Sequence, residues 1–240
     1  MIKQAIILAG GGGTRLRPLT LEIPKPLVPV QGLPILTWQA RWFARHGVEQ
    51  ITVIIPPKWR EPFEQWRQTI SAPAIHLWEE PEPMGTLGAL VHHLHDQLGQ
   101  DSVFVTNGDE LKGLSLQTLA DFHQEQKRLN PHHAATVGLI QVFNPSDYGV
   151  AEMDGPRIKN FHEKPAHPPT NLINAGLYVV EPSVLGELKG DERFLMFEKD
   201  FFPAMAEAGR LGGCPLEGPW YDCGTMERWE KAIQEWKEPV

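Results

Sequence analysis

The stretch QAIILAGGGGTRLRPLTLEIPKPLVPV, residues 4–30, decides how the chain is read. Residues 4–9 are an apolar run of strand length that ends in Gly10, Gly11, Gly12 and Gly13. With no side chains in the way, four glycines after a buried strand let backbone N–H groups approach an anion closely. Arg15, Arg17 and Lys25 follow within one loop's reach and would meet that anion. A solvated hairpin is the plainer alternative, but it would spend folding entropy on four glycines for nothing, so phosphate binding is the better reading. Two known phosphate loops do not fit. A Walker A loop needs Gly-Lys-Ser/Thr, and Thr14-Arg15 stands here instead. A dinucleotide fingerprint beginning at Gly10 and Gly12 needs a third glycine where Arg15 stands.

Outward from this loop, strand-like and helix-like segments alternate. Residues 51–55, 75–79 and 102–107 read as buried strands, and 35–46, 61–70 and 86–98 carry apolar residues at helical spacing. Such alternation predicts right-handed βαβ units and a mainly parallel sheet, with ligands beyond the carboxyl ends of the strands. The second half changes character. A helix over 116–129 is followed by strands over 134–142, 150–154, 158–163 and 173–181, partly antiparallel, and then by helices over 196–208 and 225–237. No repeat or linker divides the chain. The expected fold is α/β: one Rossmann-like domain over 1–240, with a mixed, mainly parallel sheet flanked by helices. Its nucleotide half would be 1–112 and its sugar-phosphate half 113–240.

Composition narrows the class. The 240 residues carry 22 basic and 30 acidic side chains, a net charge of −8, which argues against a nucleic-acid surface. The longest apolar run, around residues 5–9, is far short of the roughly 18 residues of a membrane span, and the start turns to glycine too early for a signal peptide. Two cysteines, Cys214 and Cys223, make no disulfide framework, so a reducing cytoplasm is the expected compartment.

Three further motifs carry chemistry. VFVTNGDEL places Asp109 just past a strand end, where a carboxylate could hold Mg²⁺ with phosphate oxygens; a plain turn is the alternative, and Glu110 is a rival ligand. FHEKP offers Glu163 and Lys164, and PWYDCGT offers Asp222; taken singly, each reads as a surface ion pair or turn. His92, His93 and His95 read as a solvated helix face, since no Cys or acidic pair completes a zinc set. The eight Trp read as core or interface filling, with Trp229 and Trp236 as a stripe on the last helix.

In order, these motifs resemble those of the sugar nucleotidyltransferases, the nucleoside-diphosphate-sugar pyrophosphorylases. The family pattern is matched by GGGTRLRPLT (11–20), PKPLVPV (24–30), NGD (107–109), EKP (163–165) and WYDCGT (220–225). The resemblance implies transfer of a nucleoside monophosphate from a nucleoside triphosphate to a sugar 1-phosphate, releasing pyrophosphate. Arg15, Lys25 and Asp109 would be catalytic, with Asp109 and Asp222 holding Mg²⁺. Leu8, Ala9, Gly10, Gly11, Gly12, Gly13, Thr14, Gly85, Thr86, Asn107 and Gly108 would line the nucleotide. Lys164 would grip the sugar phosphate, and Glu163 and Asn174 would read sugar hydroxyls.

MGTLGAL (84–90), INAGLYVVEPSVL (173–185) and FEKDFFPAMAEAGRL (197–211) look like the mannose-1-phosphate guanylyltransferase branch. Leu87 and Met226 depart from it, standing where Ala and Pro are usual. GTP with a mannose- or heptose-1-phosphate is therefore the expected pair. Thymidylyl or uridylyl transfer to another sugar, and a catalytically silent regulatory subunit, are the alternatives. The chain stops at Val240, so the β-helical extension of longer relatives is not expected. The resemblance leaves homo-oligomers open without singling out a surface.

Overall fold

The structure, a computed structural model, describes residues 1–188, 190 and 194–238. The glycine-rich loop leaves β1 (Gln4–Leu8) and reaches a small ribbon, β2 (Pro29–Val30) and β3 (Leu33–Pro34), before α1 (Ile35–Arg45). There follow β4 (Gln50–Ile55), α2 (Arg60–Gln68), β5 (Ala74–Glu79), β6 (Val103–Asn107), β7 (Glu110–Lys112) and α3 (Leu116–Leu129). The second half holds β8 (Ala135–Gln141), β9 (Gly149–Asp154), β10 (Arg157–Glu163), β11 (Leu172–Val180) and α4 (Pro182–Glu187). It closes with α5 (Phe202–Glu207), β12 (Leu211–Pro215), β13 (Trp220–Asp222) and α6 (Met226–Glu235).

Nine strands form one mixed sheet in the order β5-β4-β1-β6-β11-β8-β12-β10-β9. The β5, β4, β1 and β6 strands are parallel, β11 runs against β6, and β12 runs parallel to β8. The expected mixed sheet flanked by helices is therefore present, its pairings parallel from β5 through β6 and between β8 and β12, and antiparallel elsewhere. From β1 the chain winds outward through β4 to β5 and then returns to β6 on β1's other side. The crevice between the carboxyl ends of β1 and β6 is thus the topological switch point, where ligands of open α/β sheets bind.

Burial explains why the strands read as continuous apolar runs. Ile6 and Ile7 are both buried, one on each face of the sheet. On one side Ile7, Ile51, Val53 and Phe104 pack with Leu36, Phe43 and Leu119 of the helices. On the other, Ile6, Val105, Val137 and Tyr178 pack with Leu90, Leu94, Phe197 and Phe202. A third, smaller cluster joins Val30, Ile35 and Trp38 to Leu111, Cys223, Ala232 and Trp236. It seats α6 and the β7–β13 ladder on the outer side of α1. Trp236 meets Trp38 edge-on at 6.1 Å, so the expected Trp stripe packs inside the molecule at this position.

Two expected helices take another form. Within 86–98 the chain makes a wide π turn at Leu90–Leu94 and a tight 3₁₀ turn at His95–Gln97. The amides of Leu87 and Gly88 are drawn to the carbonyl of Leu195, which pins the start of this segment to a distant strand of chain. The segment 196–208 opens with a π turn, Phe197–Phe201, before α5. That wider turn lays the Phe197 ring on Phe202, with centroids 5.5 Å apart, so that one core takes both rings.

The β12 strand is not foreshadowed by its residues, because LGGCP has almost no strand signature. Its glycines are needed for close packing. A first side-chain carbon on Gly213 would lie 2.6 Å from the Met153 sulfur, and one on Gly212 would lie 2.9 Å from the His133 ring.

Candidate active site

The glycine-rich loop sits at the switch point. Leu8 ends β1, Ala9 donates its amide to the Ile54 carbonyl at 2.9 Å, and the backbone then runs free of strand pairing through Gly10 and Gly11. Gly13 has φ of +60° and starts the 3₁₀ turn Thr14–Leu16 that carries Arg15. The Thr20 hydroxyl locks this corner by donating to the Gly13 carbonyl at 2.7 Å. Any side chain on Gly13 would strike Thr20, at 2.9 Å.

Beyond β6, Gly108 packs against β1: its amide donates to the Leu8 carbonyl at 2.9 Å, and an added carbon would sit 3.0 Å from that oxygen. Asp109 thereby emerges at the crevice. At the next residue β7 begins and pairs antiparallel with β13, with Asp222 opposite Glu110. The Cys223 amide extends the ladder by donating to the Asp109 carbonyl at 3.2 Å. Asp109 and Asp222, 113 positions apart in sequence, are brought together by this three-residue pairing.

Two adjoining cavities meet there. The larger, about 360 Å³, is lined by Leu8, Ala9, Gly10, Gly11, Lys25, Gly85, Thr86, Asn107 and Asp109, together with Glu80, Phe194 and Glu198. The smaller, about 150 Å³, is lined by Arg15, Glu163, Lys164, Asn174 and Asp222, with Asp147, Tyr148 and Arg228. Asn107, Asp109 and Glu198 line both. The expected nucleotide and sugar-phosphate residues thus separate into two connected chambers with Asp109 at their junction. Gly12, Gly13, Thr14 and Gly108 are not among the lining residues; Gly13, Thr14 and Gly108 form the backbone corners described above.

The charges at the junction are paired. Lys25, itself buried, donates to Asp109 Oδ2. Burial alone would raise the Asp109 pKa, but the Lys25 ammonium, by charge and hydrogen bond, together with Lys112, brings it below the usual carboxylate value. Asp222 Oδ2 accepts from Arg228 Nη1 at 2.7 Å and faces the Tyr148 hydroxyl at 3.4 Å. Arg15 reaches the same place: a carbon added to Gly224 would lie 2.7 Å from Asp222 Oδ1 and 3.2 Å from Arg15 Nη2.

Glu110, the rival ligand, is buried and already engaged. It sits 2.7 Å from Lys112 Nζ and accepts from Asn107 at 3.1 Å and from the Trp220 indole at 3.2 Å. Burial, partly offset by Lys112, pushes its pKa up to about 6. It lines the smaller cavity beside Asp109 and braces β7 against β13 through the Trp220 indole.

In the smaller chamber Lys164 holds φ of +47°, a conformation uncommon for a side-chain-bearing residue. Its amide is tied to the Tyr148 carbonyl at 3.1 Å, and its ammonium lies 2.8 Å from Glu163 Oε1. Asn174 donates to the Tyr178 hydroxyl and accepts the Gly176 amide, both at 2.8 Å, which shapes an irregularity in β11. Gly176 must be glycine, with φ of +58° and an added carbon 2.5 Å from the Asn107 side chain.

Glu80, Glu198 and Arg228 also line the chambers, although no motif in the sequence marks them as site residues. Glu198 accepts the Thr86 hydroxyl at 2.8 Å, and burial raises its pKa, an effect this hydrogen bond opposes. Glu80 belongs to the Pro-rich EEPEPM run, which reads as loop, and only the fold shows it facing Gly10. Among the described residues no group of three or more His, Cys, Asp or Glu converges as a metal site. His95 pairs with Asp96 at 2.9 Å and His93 lies against Trp78, 5.4 Å between ring centres.

The nucleotidyl transferase family model matches residues 4–238. The chain belongs to this family. Among similar nucleotidyl transferases, the mannose-1-phosphate guanylyltransferase catalytic subunit beta of Danio rerio is 37% identical over 227 residues, covering 92% of this chain and 61% of that protein. The mannose-1-phosphate guanylyltransferase of Mycobacterium tuberculosis is 36% identical over 230 residues, covering 93% and 62%. The chain therefore spans about three fifths of the length of these relatives. A Bacillus anthracis structure described as a glucose-1-phosphate thymidylyltransferase superposes with a TM-score of 0.79 at 24% identity, over 96% of this chain and 94% of that one. At that identity the likeness concerns the fold. No helix among the described residues of this nucleotidyl transferase is long and apolar enough to cross a membrane.

Proposed function

We propose that the protein transfers a guanylyl group from GTP to a mannose-type sugar 1-phosphate, forming a nucleoside-diphosphate sugar and pyrophosphate. The observation that carries this reading is the junction itself. Asp109, Lys25, Arg15 and Asp222 converge where a nucleotide-sized chamber opens into one flanked by Lys164 and Glu163.

The attacking phosphate oxygen is already anionic, so the reaction needs no general base. It needs alignment and charge neutralisation. Lys25 and Arg15 supply fixed positive charge beside the triphosphate, and Lys164 holds the sugar phosphate for in-line attack on the α-phosphorus. The oxygen donors of Asp109 and Asp222 suit Mg²⁺, which is satisfied by one or two carboxylates plus phosphate oxygens and water. Each carboxylate has one oxygen engaged by a protein cation, Lys25 or Arg228, which leaves the other oxygen to such an ion. When bound, Mg²⁺ would supply further neutralisation of the phosphate charge.

Glu80 supports guanine as the base. It lines the larger chamber beside Ile54 and Gly10, and the Met84 amide holds its Oε1 at 3.1 Å. A carboxylate only accepts, and guanine alone among the common bases presents two adjacent donors, N1–H and N2–H₂, on its Watson–Crick edge. Uracil and thymine offer one N–H between two carbonyls, and adenine and cytosine place an acceptor beside their amino group. A site built to accept that donor pair disfavours bases lacking it.

Pyrophosphate release with four ribonucleoside triphosphates and dTTP, crossed with mannose-, heptose-, glucose- and N-acetylglucosamine-1-phosphates, tests the reading. GTP with a mannose-type phosphate should lead, and Glu80→Gln should narrow the lead of GTP by about tenfold or more. A clear preference for dTTP or UTP would overturn the base assignment. Nucleotide binding without turnover on any sugar would favour a silent subunit.

A further inference from the structure

Arg228 is the third residue of α6 after its cap, Thr225, whose hydroxyl accepts the Arg228 amide at 3.3 Å. Helices that begin with Ser or Thr commonly place Glu or Gln at this position, where the side chain closes a capping box. An arginine there closes nothing, and its charge opposes the positive end of the helix dipole. Its guanidinium instead turns into the smaller chamber. Nη1 donates to Asp222 Oδ2 at 2.7 Å, Nη2 donates to Asp147, and the plane lies 5.2 Å over the Tyr148 ring. Tyr148 in turn packs edge-on against Trp220, 5.5 Å between ring centres, and its carbonyl holds the amide of Lys164. One side chain thereby connects the Asp222 carboxylate to the loop that fixes Lys164.

We propose that Arg228 is a positioning residue with two separable duties: it aims Asp222 at the junction, and through Asp147 and Tyr148 it holds the Lys164 loop over the sugar-phosphate chamber. The first duty rests on the metal-holding role proposed above for Asp222, and the second on the transfer reaction. A lysine at 228 could serve one of the two carboxylates but could not bridge both, because an ammonium is a point charge and a guanidinium is a planar fork.

The test has two arms. In the first, Mn²⁺ is titrated into the protein without substrates and followed by its electron paramagnetic resonance signal. Arg228→Ala should weaken binding by about tenfold, and Asp147→Asn should leave it unchanged. In the second, steady-state kinetics with GTP and mannose 1-phosphate should show KM for the sugar phosphate raised about tenfold in Arg228→Ala and severalfold in Asp147→Asn. KM for GTP should stay within about twofold, because Arg228 does not line the larger chamber. Arg228→Lys should restore Mn²⁺ binding but not the sugar-phosphate KM. Should Arg228→Ala prove unfolded by circular dichroism, the Lys and Asn variants carry the same comparison. Unchanged Mn²⁺ affinity and sugar-phosphate KM in Arg228→Ala, or equal losses for both substrates, would overturn the proposal. Were the wild type inactive on every sugar phosphate, the transfer reading would fail, while the Mn²⁺ arm would still decide whether Arg228 aims Asp222.

Discussion

The Cys223 amide donates to the carbonyl of Asp109, and this single bond at 3.2 Å continues the ladder that sets Asp222 opposite Glu110. Two carboxylates far apart in the chain thus share one strand pairing, and the proposed ion site is fixed by backbone as well as by side chains. Distortion of the pairing should therefore harm function before it harms the core. A proline at 223 removes the donor. Cys223→Pro should cut turnover by at least about a hundredfold, with near-native circular dichroism, whereas Cys223→Ser should stay within about tenfold of wild type.

Gly176 is the tightest point behind the site. A side chain there would strike both Asn107 and Glu110, and the backbone is left-handed. Gly176→Ala should lower stability by about 2 kcal/mol or more, from strain and displaced neighbours together. Urea unfolding measures the loss, and a variant as stable as wild type would show that β11 can relax.

Acid sensitivity should come from the far side of the sheet. His133 is buried against His123 and Thr136, and burial first, then the neighbouring His123, pushes its pKa down to about 4. The unfolded chain takes up this proton near pH 6.5 and the folded one only near 4, so stability falls as pH drops through that window, by about 3 kcal/mol when complete. Glu181 adds a second, lower window. Burial raises its pKa, but hydrogen bonds from His123, Lys127 and Ser102 outweigh that and hold it at about 2. Its contribution is present above about pH 4.5 and is lost as pH falls toward 2. Urea midpoints at pH 7, 5.5 and 4.5 should decline steadily, and His133→Gln should flatten the decline. An unchanged slope in that variant would contradict the assignment.

Both thiols should be inert in the native protein. Cys214 and Cys223 are buried, and burial pushes their pKa values up, to about 11 for Cys214 and higher for Cys223. A thiol reagent at pH 8 should label neither until denaturant is added. Rapid labelling of the folded protein would show that β12 or the β13 turn opens.

Much of this architecture could be read from residues alone because burial writes itself into short patterns. Ile6 with Ile7, and Val103 with Phe104 and Val105, are buried on both sheet faces and announce parallel strands. Gly10–Arg15 and Asp109 then fall at strand ends, where such sheets bind ligands. The illegible parts depend on distant neighbours. Nothing in LGGCP marks a strand until Met153 and His133 are seen pressing on its glycines. The three-residue β7 and β13 have no pattern of their own and exist through each other. Apolar spacing over 86–98 does suggest a helix, yet Leu195 captures its first amides and the turn widens. Glu80 sits in ordinary loop sequence, and Arg228, though unusual three residues after a Thr cap, names no partner of its own; only the tertiary fold turns them toward the chambers.

Guanylyl transfer is proposed here to occur at the junction of Asp109 and Asp222. The most direct measurement is Mg²⁺-dependent pyrophosphate release from GTP and mannose 1-phosphate, comparing wild type with Asp109→Asn and Asp222→Asn. Robust release by the wild type and a loss of at least about a hundredfold in each variant, with unchanged circular dichroism, is the predicted result. Near-normal rates in either variant would remove the carboxylate pair from the reaction and contradict the account.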